Sequence, residues 1–235
     1  MEDKKLSIII PAYNGKNTIL EILRRIDLVA LNLKKEIIII DDCSDDGTAE
    51  ILKRLDVNKY KTILKSKNEG KGSAIKIGLL HATGEFVIFQ DADLEYDPND
   101  YKKIISPLEK STADVVIGSR VLSGSMQLFG SKRVSFVTYC SCKIVVFLIN
   151  FLYGRDFTDC WGCYKAFRRD VLSEVKVGAN GFEYEIELLC KLLKRKIRMI
   201  EVPISYHPRG YLEGKKISFW PDAFLVIFSV IKSVL

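Results

Sequence analysis

The chain has 235 residues, 48% hydrophobic and 28% charged, a balance that supports one sizeable globular core. It shows no internal repeat, low-complexity tract or linker, which excludes a solenoid or tail-and-domain organisation. The formal net charge of +6 favours anionic partners (nucleotides, phosphates, an acidic membrane surface or nucleic acid) without choosing among them.

Met1 to Lys5 is charged and leads directly into an apolar run, without the features of a signal peptide. The six cysteines are therefore expected as reduced thiols in a cytosolic setting. In the first half, apolar β-rich runs at Leu6–Ile10, Glu36–Ile40, Phe86–Gln90 and Asp114–Ile117 alternate with helical patterns at Thr18–Leu28, Thr48–Leu55, Ser73–His81 and Pro98–Leu108. Nearly continuous apolar strands separated by helices predict a doubly wound α/β domain, Rossmann-like, with a mostly parallel central sheet and helices on both faces. The second half is less regular. Ser131–Phe151 reads as a long helix, Cys163–Phe167 as a short strand, Gly181–Leu193 as a helix and Arg198–Val202 as a strand. Tyr206–Lys216 reads as a basic loop, and the tail is helical. We expect one domain over 1–235, with a nucleotide-binding half at 1–120 and an acceptor half at 121–235.

Phe136–Tyr153 and Phe219–Leu235 are unusually apolar, yet both fall near the roughly 20 residues needed to span a bilayer without passing it cleanly. Three readings stay open: buried core helices, helices lying in a membrane interface, or helices that span the bilayer.

Right-handed crossovers place the C-terminal ends of parallel strands on one edge, where ligands of such sheets bind. Four polar clusters fall there: Pro11-Ala12-Tyr13-Asn14, Asp41-Asp42, Asp91-Ala92-Asp93 and Gly118-Ser119-Arg120. Asp91 and Asp93 are one residue apart, so in extended backbone both point the same way. Paired hard carboxylates suit Mg²⁺ or Mn²⁺, which share phosphate oxygens with a substrate and help a diphosphate depart. Asp42 is favoured over Asp41 for contact with a base or ribose, and Asp45 or Asp46 for capping the following helix. Among the basic residues, Arg120 closes a strand on the ligand edge, and the Arg209–Lys216 loop could fold over a diphosphate.

Other signals carry less. Cys160-Trp161-Gly162-Cys163 lacks thioredoxin surroundings, and Cys140 and Cys142 within an apolar helix are poor zinc ligands. His81 and His207 read as structural. Asn68-Glu69-Gly70-Lys71-Gly72 lacks phosphate-loop spacing and reads mainly as a turn and helix start.

LSIIIPAYNGKNTI, EIIIIDDCSDDGTAE, NEGKGSAIKIGLLHATGEFVIFQDADLEYDP and DVVIGSR together resemble the family 2 glycosyltransferases of GT-A fold. SKRVSF, RDFTDCWGCYKAFRRDVL, GFEYEIEL and VPISYHPRGYLEGKKI resemble the dolichyl-phosphate mannose synthases and related polyprenyl-phosphate glycosyltransferases. The resemblance implies that Pro11, Ala12, Tyr13, Ile40 and Asp42 line the nucleoside pocket. It implies that Asp91, Asp93 and Glu95 hold Mg²⁺ or Mn²⁺, with Ala92 beside the donor. Arg120, Arg209 and Lys215 would bind donor phosphates and Arg133 the acceptor, with Asp93 and Asp159 as catalytic candidates. Three positions depart from the family pattern: Gly15 for Glu, Glu95 for Gln, and Gly214-Lys215-Lys216 for a Ser-Lys sequence.

The implied reaction is an inverting transfer of a hexose from a GDP-mannose or UDP-glucose type donor to a polyprenyl or dolichyl phosphate. The implied partners are that donor, the lipid acceptor, the cytoplasmic face of a membrane and a membrane protein, with no nucleic acid. A sugar-hydroxyl acceptor would need a base, for which Asp159 is the candidate; a phosphate acceptor would leave Asp159 a positioning group. A non-catalytic nucleotide-sugar-binding subunit is the third alternative.

Overall fold

A computed structural model describes residues 4–126, 136–173, 175–195, 197–208, 226 and 230. Seven strands form one sheet in the order β3-β2-β1-β4-β6-β5-β7. These are β1 (Lys5–Ala12), β2 (Lys34–Asp41), β3 (Tyr60–Leu64), β4 (Phe86–Phe89), β5 (Val115–Ser119), β6 (Lys165–Arg168) and β7 (Met199–Pro203). The helices are α1 (Ile19–Leu28), α2 (Thr48–Leu52), α3 (Lys71–His81), α4 (Tyr101–Glu109), α5 (Phe136–Tyr153), α6 (Arg169–Ser173) and α7 (Tyr184–Lys194). A 3-10 turn, Pro98–Asp100, leads into α4.

Leu6 to Ile10 and Ile37 to Ile40 are buried without interruption, so both faces of the central strands are covered, as their unbroken apolar character demands. Helix α3 lies close over β1 and β2. A Cβ on Gly78 would come within 2.4 Å of Ile9 Cγ2 and 2.8 Å of Ile40 Cδ1, so glycine there sets the helix–sheet distance. Lys35 reaches back to the end of α1 and donates to the carbonyls of Ile26, Asp27 and Val29, supplying partners to a helix C-terminus that lacks intrahelical ones.

Strand β6 runs antiparallel to both β4 and β5, which are thereby parallel to each other. The other pairings are parallel. This reversal positions the site. Six strands deliver their C-terminal ends to one edge, and β6 delivers its N-terminal end there, so residues 158–163 arrive on the same edge.

Within the described residues the predicted strands and helices are present with shifted ends; α2 stops at Leu52 instead of Leu55, and residues 131–135 of the predicted Ser131–Phe151 helix lie outside the described residues. The sequence reading named no run for β3. Helix α5 resolves the choice between core and surface by being both. Cys142, Val145, Val146 and Ile149 are buried, while Phe136, Ile144, Phe147 and Phe151 are exposed. Among the described residues no helix is long and apolar enough to cross a membrane. The predicted tail helix lies outside the described residues except at Val226 and Val230, which are helical and buried.

Candidate active site

A cleft of about 600 Å³ opens along the ligand edge. Pro11, Ala12, Tyr13 and Asp42 line it from β1 and β2, and Asp91, Ala92, Asp93 and Glu95 from the end of β4. Arg120 enters from the end of β5 and Thr138, Ser141 and Cys142 from α5. The sequence-predicted residues thus converge on one space. Two of them differ. Ile40 has a fully buried side chain that packs under α3 at Gly78 and does not line the cleft. Asp159 is buried beneath the cleft and does not line it either. Arg133, Arg209 and Lys215 lie outside the described residues.

The end of β2 divides its two carboxylates as the alternation of an extended chain requires. Asp41 accepts from the Ser44 amide at 3.0 Å and the Ser44 hydroxyl at 2.5 Å, fixing the turn. Asp42 faces the cleft and accepts from Lys65 Nζ at 2.5 Å and from the amides of Glu69 and Gly70 at 3.1 and 2.7 Å. It therefore anchors the glycine-containing loop as well as lining the pocket. The N-cap of α2 is Gly47, not the expected Asp45 or Asp46; Asp46 stands one residue earlier, where it accepts from the Thr48 amide at 2.9 Å and closes the turn into the helix.

Strand β4 ends on a braced platform. Gln90 is fully buried; its Oε1 accepts from the Tyr101 and Tyr164 hydroxyls and its Nε2 donates to the Asp91 carbonyl. Asp91 and Asp93 follow into the cleft. Two hard carboxylates fit Mg²⁺ or Mn²⁺, which bind through one or two protein carboxylates together with waters and substrate phosphates. No group of three candidate ligands is preassembled among the described residues. Glu95 Oε2 accepts the Tyr206 hydroxyl at 2.9 Å, and the Tyr206 ring lies under the Arg120 guanidinium, 5.1 Å from its centre.

Arg120 and Asp159 form one buried unit. Nε and Nη2 of Arg120 donate to the two Asp159 oxygens at 2.7 and 2.9 Å, and the Arg120 amide adds a third bond at 3.0 Å. Burial would raise the Asp159 pKa, but the guanidinium outweighs it and holds the carboxyl below its usual range. Glu201 accepts from the Thr158 and Asp159 amides, each at 2.8 Å, fixing this segment from β7.

The charges the sequence reading left without a role form a chain across the cleft floor. Lys71 Nζ lies 2.6 Å from Asp91 Oδ1 and 2.8 Å from Glu185 Oε1. The other Glu185 oxygen is 3.0 Å from Lys165 Nζ, which also donates to the Gly162 carbonyl. Burial opposes the charged forms, yet the flanking partners prevail, with the Lys71 pKa raised and the Glu185 pKa lowered. The available signal was a lysine between two glycines at a helix start. A Cβ on Gly72 would sit 2.5 Å from Tyr184 Cβ, so only glycine lets α3 press its first turn against α7.

Sheet order and strand ends define a mixed α/β protein of GT-A fold. The sequence model described as glycosyl transferase family 2 matches residues 7–176, and the chain belongs to that family. It is 33% identical over 216 residues to a dolichol-phosphate mannosyltransferase of Pyrococcus furiosus, covering 90% of this chain and 59% of that protein. It is 30% identical over 247 residues to a dolichyl-phosphate beta-glucosyltransferase of Saccharomyces cerevisiae, covering 94% and 72%. The chain thus spans less than two thirds of the Pyrococcus relative. Among solved structures it resembles glucosyl-3-phosphoglycerate synthase of Mycobacterium tuberculosis with UDP, at TM-score 0.74, 19% identity and 98% and 80% coverage. The same enzyme with Mn²⁺, UDP and phosphoglyceric acid gives 0.75 and 18%, covering 98% and 78%.

Proposed function

We propose that this glycosyltransferase moves a hexose, with inversion, from a GDP-mannose or UDP-glucose type donor to a polyprenyl or dolichyl phosphate at a membrane surface. The observation that carries the acceptor class is the state of the carboxylates. Asp42, Asp91, Asp93, Glu95 and Glu185 line the cleft, and each already accepts a hydrogen bond or ion pair. Asp159 is locked to Arg120. A sugar hydroxyl needs a base in reach. A phosphate monoester does not, being largely dianionic above a second pKa of about 6. The names of the two relatives agree with a lipid-phosphate acceptor.

In this reading Pro11, Ala12, Tyr13 and Asp42 bind the nucleoside, and Asp91 and Asp93 hold Mg²⁺ or Mn²⁺. The bound cation supplies charge neutralisation for the departing diphosphate. Arg120, oriented by Asp159, faces the donor phosphates with the N–H groups that Asp159 does not occupy. Arg209 and Lys215 add to the phosphate site, and Arg133 holds the acceptor. The exposed side of α5, whose Thr138, Ser141 and Cys142 line the cleft, rests on the membrane, so the lipid tail stays in the bilayer while its phosphate reaches the sugar. In this reading the protein works peripherally, on the cytoplasmic face of a membrane.

The test is transfer from GDP-mannose or UDP-glucose to a short polyprenyl phosphate in the presence of Mn²⁺. Transfer is expected with one donor, to be lost in EDTA and to fall at least about a hundredfold in Asp93→Ala with folding intact. Transfer only to a sugar hydroxyl, or full activity in EDTA, would overturn the reading.

A further inference from the structure

The cleft places a cation beside a candidate metal ligand. Lys71 Nζ sits between Asp91 and Glu185 at 2.6 and 2.8 Å. Glu185 is held in place by the buried Lys165 on its other oxygen, so it cannot follow Lys71 if Lys71 moves. The backbone is equally fixed, since the first turn of α3 is pressed on Tyr184 at Gly72. What remains adjustable is the lysine's four-carbon stem, with a second carboxylate already in place to receive its charge.

We propose that Lys71 is a tethered counter-ion of the metal site, neutralising Asp91 when no divalent cation is bound and retreating to Glu185 when one is. This rests on the reading that Asp91 and Asp93 hold the cation. An ammonium and a dication on the same carboxylate repel each other at short range, more strongly in a partly buried cleft than in water. A metal ion entering alone must therefore displace Lys71 and remain beside it. A metal ion arriving with a nucleoside diphosphate brings negative charge that offsets the same repulsion. Lys71 thus couples the two ligands, and such coupling acts equally in both directions. The site would favour the loaded donor over either component alone.

The primary probe is Mn²⁺ alone, titrated without nucleotide and followed by the electron paramagnetic resonance of free Mn²⁺. Lys71→Met keeps the stem and removes the charge; it leaves Glu185 paired with Lys165 and Asp91 open to the cleft. Mn²⁺ is expected to bind this variant roughly tenfold more tightly than the wild type, the scale of one close charge pair. The gain in Mn²⁺ affinity on adding UDP or GDP is expected to shrink by a similar factor. Glu185→Gln removes the charge that receives Lys71 and is expected to weaken Mn²⁺ binding, the opposite direction. If Glu185→Gln lowers the melting temperature too far to assay, the Lys71→Met titration decides alone. Unchanged or weaker Mn²⁺ binding in a folded Lys71→Met protein overturns the proposal and leaves Lys71 a structural ion pair. Wild-type binding that Asp93→Asn abolishes would show in the same experiment that the metal reading stands. If wild type and variant both ignore Mn²⁺, the metal reading fails and the counter-ion idea with it.

Discussion

Asp159 illustrates what a single residue's environment decides. Its sequence position leaves two roles open, base or positioning group. The bidentate pair with Arg120 at 2.7 and 2.9 Å, fully buried, favours the second. Asp159→Asn keeps the shape but turns one acceptor into a donor facing the guanidinium, leaving a buried charge uncompensated at a cost of about 3–5 kcal/mol. We expect a lower melting temperature together with weaker donor binding, measured by denaturation and by nucleotide titration. A variant of wild-type stability and donor affinity that loses only turnover would instead mark Asp159 as a base. The pH dependence has a definite sign. The folded pKa is depressed, so the pair's contribution is fully present above the unfolded carboxylate value of about 4. It is lost as pH falls below that value through the folded one. The Lys71 to Lys165 chain shows the limit of reading residues singly. Lys71, Asp91, Lys165 and Glu185 come from four segments, which the Gly72 contact and the reversal of β6 help to bring together.

Among elements, α5 combines a wall of the cleft with an exposed apolar side. Its buried and exposed sides are both apolar, so hydropathy alone could not separate core from interface, and the fold was needed to show which residues face outward. Phe147 and Phe151 are 66% and 76% exposed, and their rings stack at 6.2 Å, one helical turn apart. Neither belongs to the core formed by the described residues, and a double variant replaces both with serine. Burying a phenylalanine is worth about 1.5–3 kcal/mol, so the double variant is expected to bind anionic liposomes at least about tenfold less well. Its nucleotide affinity should match the wild type. Sedimentation with liposomes checks the first expectation, and undiminished sedimentation would remove α5 from the membrane contact. The same scale explains what pattern reading missed. Strand β3 is an edge strand with no fully buried residue, so Tyr60–Leu64 lacks the apolar run that identifies β1 and β2. The direction of β6 leaves no mark in four residues, because it depends on how the chain returns from α5. The strand ends on the ligand edge were legible because parallel topology requires polar clusters there to have a use.

For the whole molecule, the deciding question is what the cleft must do to the acceptor. The cleft supplies acidic residues at the end of β4, a buried arginine at the end of β5 and an apolar helix at its rim. Those parts suit an acceptor that arrives already nucleophilic, with its charge in the cleft and its bulk elsewhere. If so, the pH profile of transfer should follow the acceptor and not the protein. The dianion attacks, and its fraction rises with pH through the second phosphate pKa of about 6. With a short polyprenyl phosphate, kcat/KM is therefore expected to climb roughly tenfold from pH 5 to pH 7, about half of the full dianion rate being reached near pH 6, and to level off above that. A polyprenyl phosphonate of the same length, whose second pKa is higher, should move the climb to higher pH by the difference between the two acceptors. A protein base would give the opposite result: the climb would stay where it is when the acceptor changes and would move when a cleft carboxylate is replaced. Measuring both acceptors on one enzyme preparation separates these cases without any mutation, and so without the folding cost that substitution of a buried, paired carboxylate carries.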